Sequence, residues 1–297
     1  MTSWMITVGS WETRFIKGFE CAVEKFQPNN VLLFFYKEYA AWSQSNRRKA
    51  AAFCKRHGVN VQEHELSFLD PVNCWQVLYN SITQLNFRDE KVLFDITTMP
   101  RETIWTCLDL LVSRGAIVHY IYNQPERYNS QWLSRDPGEP RLVYKLSGEP
   151  RLGLPTKLLV LTGYDVDRVR QMIRFYEPQQ TLLGIQVGNQ LSNQALNIDK
   201  NREAFGKERA VELFDVDAYA SDNGFAAIKS RLDVNLGNSN VIMSSLGPKL
   251  SAIALYRLHK LYPQTSLAYA PSREYNRRYS VGIGASYEGW IEEYPPK

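Results

Sequence analysis

The sequence predicts an α/β protein made of two tandem doubly wound parallel-sheet domains of Rossmann-like type, related by internal duplication. Three observations predict it. Short apolar runs alternate with amphipathic stretches of helical length, the pattern of βαβ crossovers. The chain states one plan twice. "VLFDITTMPRETIW" (Val92–Trp105) and "NVIMSSLGPKLSAI" (Asn240–Ile253) each run from an apolar segment through a hydroxyl pair to Pro and a base. Finally, 297 residues suit two domains of ordinary size, each able to bury its own core.

The repeat recurs along the chain at an offset of about 148 residues. Met5–Arg14 matches Leu158–Arg168, Asn30–Glu38 matches Thr181–Asn189, and Glu65–Asp70 matches Ala210–Asp217. Pro125–Asn129 matches Ser272–Asn276. Pairs in one order at nearly one offset mark a duplicated domain, not a solenoid unit.

In the first half, strands are expected at Ile6–Val8, Val31–Phe35, Val59–Glu65, Val92–Phe94 and Ile117–Tyr122. Helices are expected between them at Glu12–Phe26, Ser45–His57, Val72–Leu85 and Arg101–Ser113. The second half gives strands at Leu158–Leu161, Leu182–Val187, Val211–Val216, Asn240–Met243 and Ser266–Tyr269. Its helices are expected at Asp165–Phe175, Asn223–Leu232 and Lys249–Leu261. Each half then forms a five-stranded sheet of order 3-2-1-4-5. Turn-rich stretches at Arg127–Leu146 and Glu274–Tyr294 follow the fifth strands and are expected to form a small hairpin or flap. A Gly- and Pro-rich linker within Leu146–Lys157 separates a first domain, 1–147, from a second, 156–297.

Composition narrows the function. Apolar content of 44%, charged content of 22% and a net charge of +4 are those of a soluble globular protein that tolerates an anionic ligand. Direct DNA binding is not expected from so mild a charge. No apolar run reaches the roughly 18–20 residues of a membrane span, and the N-terminus shows no cleavage pattern, so a cytoplasmic location is expected. The four cysteines (Cys21, Cys54, Cys74, Cys107) have no CxxC spacing and read as buried reduced thiols. The four histidines lack metal-ligand spacing, and GxGxxG, GxxxxGK[ST] and GxSxG motifs are missing. No metal and no organic cofactor is expected. The domains use up almost the whole of these 297 residues, so no appended effector module is expected.

Ligands of open parallel sheets bind beyond the carboxyl ends of the strands, where strand order reverses. That point falls between the first and fourth strands of each half. In the first half it gathers Gly9, Ser10, Trp11, Glu12 and Arg14 with Asp95, Thr97, Thr98, Pro100 and Arg101. In the second it gathers Gly163, Tyr164 and Asp165 with Ser244, Ser245, Gly247, Pro248 and Lys249. Hydroxyls and free N–H groups at a helix start, with a base in the first turn, suit a phosphate. The plainer reading makes Thr98 and Ser245 helix caps and leaves Arg101 and Lys249 solvated. Asp95, whose sequence counterpart is Met243, serves as ribose ligand or base, or holds the Thr97–Thr98 turn. Trp11 and Tyr164 stack on a base or close the core rim. Arg273, with Arg277, Arg278 and nearby tyrosines, fits a nucleotide or a protein interface.

"FDITTMPRE" (Phe94–Glu102) resembles the ligand loop of the CARF and SAVED-type Rossmannoid sensor domains of prokaryotic antiviral systems. SAVED domains resemble two fused CARF units, as the duplication here does. A CARF loop carries Gly-Gly before its base, where this chain has Met99-Pro100 and Gly247-Pro248. The resemblance implies a sensor that binds a nucleotide-type ligand such as a cyclic oligonucleotide and acts through a separate effector subunit. It makes Thr97, Thr98, Arg101, Ser244, Ser245 and Lys249 the phosphate contacts. Two alternatives stay open. One is metal-independent cleavage of such a ligand, with Arg101 and Lys249 stabilising charge and Asp95 or Glu12 as base. The other is a structural subunit with a vestigial site.

Overall fold

The computed structural model describes residues 3–128, 132, 134–163, 165–188 and 195–291, with side chains from residue 198 in the last segment. The first half of the chain forms β1 (Trp4–Val8), α1 (Thr13–Phe26), β2 (Asn30–Tyr36), α2 (Ala40–Arg56), β3 (Asn60–Leu66) and α3 (Pro71–Thr83). It continues with β4 (Lys91–Asp95), α4 (Arg101–Ser113) and β5 (Ile117–Asn123), then three short strands: β6 (Arg127–Tyr128), β7 (Ser134–Pro137) and β8 (Arg141–Leu142). The second half forms β9 (Thr156–Leu161), α5 (Val166–Tyr176), β10 (Gln180–Gln186), α6 (Ala195–Phe205), β11 (Val211–Val216) and α7 (Phe225–Asn235). After these come β12 (Asn240–Ser245), α8 (Leu250–Leu261) and β13 (Ser266–Tyr269), with β14 (Ser272–Tyr275), β15 (Ser280–Val281) and β16 (Ser286–Trp290) at the end.

The strands make two six-stranded sheets, ordered β16-β5-β4-β1-β2-β3 and β11-β10-β9-β12-β13-β8. Within each, the five central strands are parallel in the expected order 3-2-1-4-5, and the added edge strand is antiparallel. The duplicated Rossmann-like architecture is thereby established.

In the first sheet Met5 lies between Val31 and Leu93 in register and packs with Phe15, Phe19 and Phe53 from α1 and α2. Burial of each such side chain contributes about 1.5–3 kcal/mol. In the second sheet Leu158, Val160, Leu183 and Ile185 pack on Val169 and Met172 of α5. The duplication extends to how a helix stops. α1 ends at Gln27 (φ 46°) and α5 at Glu177 (φ 43°), both left-handed. Each is followed by Pro, which cannot continue the helix (Pro28, Pro178).

The edge strands explain why the compact units are not the two sequence halves. One unit comprises Met1–Asn129 with Arg277–Lys297, the other Ser130–Asn276. The tail of the first half supplies β8, which pairs with β13, and β7, which pairs with β14. The tail of the second half supplies β16 to β5 and β15 to β6. The two flaps therefore do not fold as hairpins among the described residues. A strand from one half of the chain completes a sheet or ribbon of the other, and edge pairing of otherwise open N–H and C=O groups is the reason. Helix α6 was not anticipated from the sequence.

Among the described residues no helix is long and apolar enough to cross a membrane, and no group of three His, Cys, Asp or Glu is placed to hold a metal. All four cysteines are free thiols. Cys54, Cys74 and Cys107 are buried, whereas Cys21 is exposed.

Two predictions follow from this topology. A chain cut within Gly148–Gly153 should yield fragments that copurify, since each carries the edge strand of the other's sheet; fragments that elute separately and folded contradict it. The second concerns His119, which stacks on Trp290 of β16 with centroids 4.3 Å apart. Burial lowers the pKa of His119, as does Lys25, against an opposing pull from Glu288. Burial also lowers that of His64. Unfolded imidazoles, titrating near about 6.5, take up protons first as pH falls, so stability is complete above that value and declines below it. Thermal melts from pH 7 to 5 should show the decline, and His119→Phe should flatten part of it.

Candidate functional site

At the carboxyl edge of the first sheet, the loops after β1 and β4 meet around a buried polar network. Thr98 Oγ1 donates to the Val8 carbonyl at 2.6 Å, joining the two loops. Asp95 is fully buried and accepts from Thr7 Oγ1 (3.1 Å) and the Thr97 N–H (2.9 Å). Thr97 Oγ1 in turn accepts from the backbone N–H and the side-chain amide of Asn123 at 3.0 and 3.2 Å. Ser286, on β16, donates to Asn123 Oδ1 at 2.6 Å. Asp95 thus takes the turn-holding role.

Arg14 is 2% exposed and points inward. Its Nε donates to Glu12 Oε2 at 2.7 Å, one terminal nitrogen to the Asn123 carbonyl at 3.3 Å, and the other to the Tyr279 hydroxyl at 3.0 Å. Tyr279 donates to Glu12 Oε1 at 3.2 Å, and Ser280 donates to Glu12 Oε2. Burial opposes the charge on Arg14, but Glu12 and the surrounding tyrosines outweigh it and raise the guanidinium pKa. Burial, then Glu12, pushes the Tyr279 hydroxyl up. Glu12 and Arg14 hold the returning C-terminal segment, and their polar atoms face one another rather than solvent. Ser10 is buried too. Its Oγ accepts from the Glu12 N–H at 3.3 Å, and its carbonyl accepts from Asn46 at 3.0 Å.

The second sheet has the same frame and different chemistry. Register fixes the correspondence. Val8 pairs with Phe34 as Leu161 pairs with Gly184, and Phe94 pairs with Ile6 as Met243 pairs with Leu159. The structural counterpart of Asp95 is therefore Ser244, not Met243. By the same register Thr7, Thr97 and Asn123 correspond to Val160, Leu246 and Ala270, all in the apolar cluster of this unit. Arg168 is 7% exposed and donates to the Ala270 carbonyl, the equivalent of the carbonyl that Arg14 holds. Buried Ser244 Oγ, Asp165 Oδ2 and Arg168 Nε have no hydrogen-bond partner among the described residues. Burial raises the pKa of Asp165, against Arg168.

Gly163 and Gly247 are required by close approach of the two loops. A Cβ on Gly163 would lie 2.0 Å from the Leu246 carbonyl oxygen, and one on Gly247 2.6 Å from that of Thr162. The Gly247 N–H reaches the Leu161 carbonyl at 3.2 Å, replacing the hydroxyl that Thr98 supplies in the first sheet. Ser245 Oγ shares a 2.6 Å hydrogen bond with Ser251 Oγ, inside α8.

Both helices that open at these reversal points start without a side-chain cap. Pro100 is the N-cap of α4 and Lys249 that of α8. Arg101 and Lys249 are half-buried there, with Lys249 one position earlier on its helix than Arg101. By contrast, Asp70 caps α3, and Asp165 caps α5 through the N–H groups of Asp167 and Arg168. Arg273 is exposed on β14. Tyr164 lies outside the described residues, as does Asn129.

Sequence reasoning missed Asn123 and Tyr279, which bond Arg14, Ser280, which bonds Glu12, and the rings that surround Trp11. Trp11 meets Tyr39 and Trp42 at centroid distances of 5.5 and 5.2 Å. The signal for Tyr39 and Trp42 was their place just after the second strand, at the same sheet edge.

No family model and no curated protein matches the chain. Among solved structures, it is similar to a universal-stress-type protein of Pseudomonas aeruginosa UCBPP-PA14 at 7% identity, covering 90% of this chain and 92% of that one, TM-score 0.28. The N-domain of a bacterial malonyl-CoA reductase with NADP is 9% identical over 86% of this chain and 76% of that one, TM-score 0.25. Anabaena Alr3699/HepE in complex with UDP and glucose is 10% identical over 89% and 91%, TM-score 0.22. Likeness at this level carries no argument about function.

Arg14→Ala should cost about 3–5 kcal/mol in chemical denaturation, because it strands a buried carboxylate. Removing Glu12 as well should cost less than the sum of the single losses. A loss within about 1 kcal/mol, as for a surface pair, contradicts the assignment.

Proposed function

We propose that the chain is a binding protein for nucleotide-type ligands, with a phosphate site at the start of α4 in one unit and an equivalent one at the start of α8 in the other. The observation that carries this reading is the pair of uncapped helix starts at the two strand-order reversals, each with a base at its first positions. The positive end of a helix dipole favours an anion, and Arg101 and Lys249 add charge. The unpartnered Ser244 hydroxyl and Arg168 Nε beside the second loop are consistent with it. Binding is preferred to turnover because the candidate bases are engaged: Glu12 by Arg14, Tyr279 and Ser280, and Asp95 by Thr7 and Thr97.

The resemblance of Phe94–Glu102 to CARF and SAVED loops extends the reading to a cyclic oligonucleotide sensor in a prokaryotic defence complex, signalling through a partner chain. An exposed apolar strip supports a protein contact. Leu69 and Val72 are 77% and 44% exposed, and Tyr79, stacked on Trp75, is 39% exposed.

A thermal-shift screen against mono-, di- and cyclic oligonucleotides tests the proposal, with an Arg101→Ala, Lys249→Ala double variant alongside. A ligand at a hundredfold excess over its dissociation constant should stabilise by about 2.7 kcal/mol. The double variant should melt normally without ligand and lose the shift. No shift with any nucleotide, or one unchanged in the variant, contradicts the proposal.

A further inference from the structure

Three half-exposed rings meet at the carboxyl edge of the first sheet: Trp11 after β1, and Tyr39 and Trp42 around the start of α2. Trp11 stands edge-on to Trp42 at 87°, and Tyr39 lies 5.4 Å from Trp42 at 37°. Phe68, after β3, backs Tyr39 at 6.0 Å. The exposed Arg277 guanidinium lies 4.9 Å over the Trp42 ring. Three successive strands thus end in aromatic side chains on the same edge as the start of α4. The loop that carries Trp11 is the one that Thr98 bonds through the Val8 carbonyl.

We infer that this cluster is a nucleobase subsite in which a base stacks on Trp42 and Tyr39. The inference rests on the phosphate site proposed at α4. Every base has a flat π face, and stacking on aromatic rings binds bases with little regard to sequence. A guanidinium is also flat and stacks on an indole, so Arg277 marks the Trp42 face as one that accepts a planar group and covers a bound base from outside. The Trp11 Nε1–H is buried with no acceptor among the described residues. A small turn of that ring would offer it to a ring nitrogen or carbonyl of the base. The subsite selects ligands with a base over sugar phosphates that present the same anion.

The test titrates the whole protein with AMP, cyclic triadenylate and ribose 5-phosphate, following intrinsic tryptophan fluorescence and calorimetric affinity. The nucleotides should bind about tenfold or more tightly than ribose 5-phosphate and quench fluorescence. Trp42→Ala should erase that advantage while leaving ribose 5-phosphate affinity unchanged, and Trp42→Phe, which keeps a stacking ring and the fold, should retain most of it. Equal binding of all three probes, lost in Arg101→Ala but not in Trp42→Ala, overturns the base subsite and leaves the phosphate site standing. Failure of every probe to bind the unaltered protein overturns both.

Discussion

One contact governs how each unit closes: a buried arginine near the start of the helix after the first strand, donating to a carbonyl at the carboxyl end of the fifth. Arg14 does this to Asn123 and Arg168 to Ala270. The contact spans the strand-order reversal, so it fixes the first, fourth and fifth strands together at their carboxyl ends. It also takes up a carbonyl that sits where the chain leaves the parallel sheet and can no longer pair within it. Buried polar groups need such partners, since one left unmet costs about 1–3 kcal/mol. In the first unit the same guanidinium, through Glu12 and Tyr279, also holds the segment that returns to supply β15 and β16.

The two copies keep this frame with opposite interiors. Thr7, Asp95, Thr97 and Asn123 form hydrogen bonds in the first unit, whereas Val160, Leu246 and Ala270, the counterparts of Thr7, Thr97 and Asn123, pack with apolar neighbours in the second. A polar network fully satisfied and an apolar core are both stable solutions, whereas each polar group left unmet in between costs free energy. Ser244 is the one polar remnant, and its hydroxyl is unpartnered among the described residues. The starts of α4 and α8 lie outside this exchange and remain uncapped in both copies.

The parallel order and most helices were legible because buried strands are short unbroken apolar runs and their crossovers are amphipathic. The register of Asp95 was not. Aligning "FDITT" to "IMSSL" by the Pro and base that follow shifts the pairing by one residue, and only the ladder between β9 and β12 places Ser244 opposite Val160. The destination of the tails was hidden for a related reason. Arg127–Tyr128 and Ser280–Val281 are too short to signal strands, and nothing local says that each pairs with a segment about 150 residues away. Arg14 read as a ligand contact because a base near a reversal point suits an anion. Its partner Tyr279, and Ser280 on its ion-pair partner Glu12, are remote in sequence.

Hydrogen exchange of Arg14→Ala tests the clamp most directly. If Arg14 holds the returning segment, amides of Tyr279–Trp290 and of the first turn of α1 should lose protection together, while those of β9–β13 keep theirs. Unchanged protection of Tyr279–Trp290 would mean that strand pairing alone holds the tail, and the central role given to the buried arginine would be wrong.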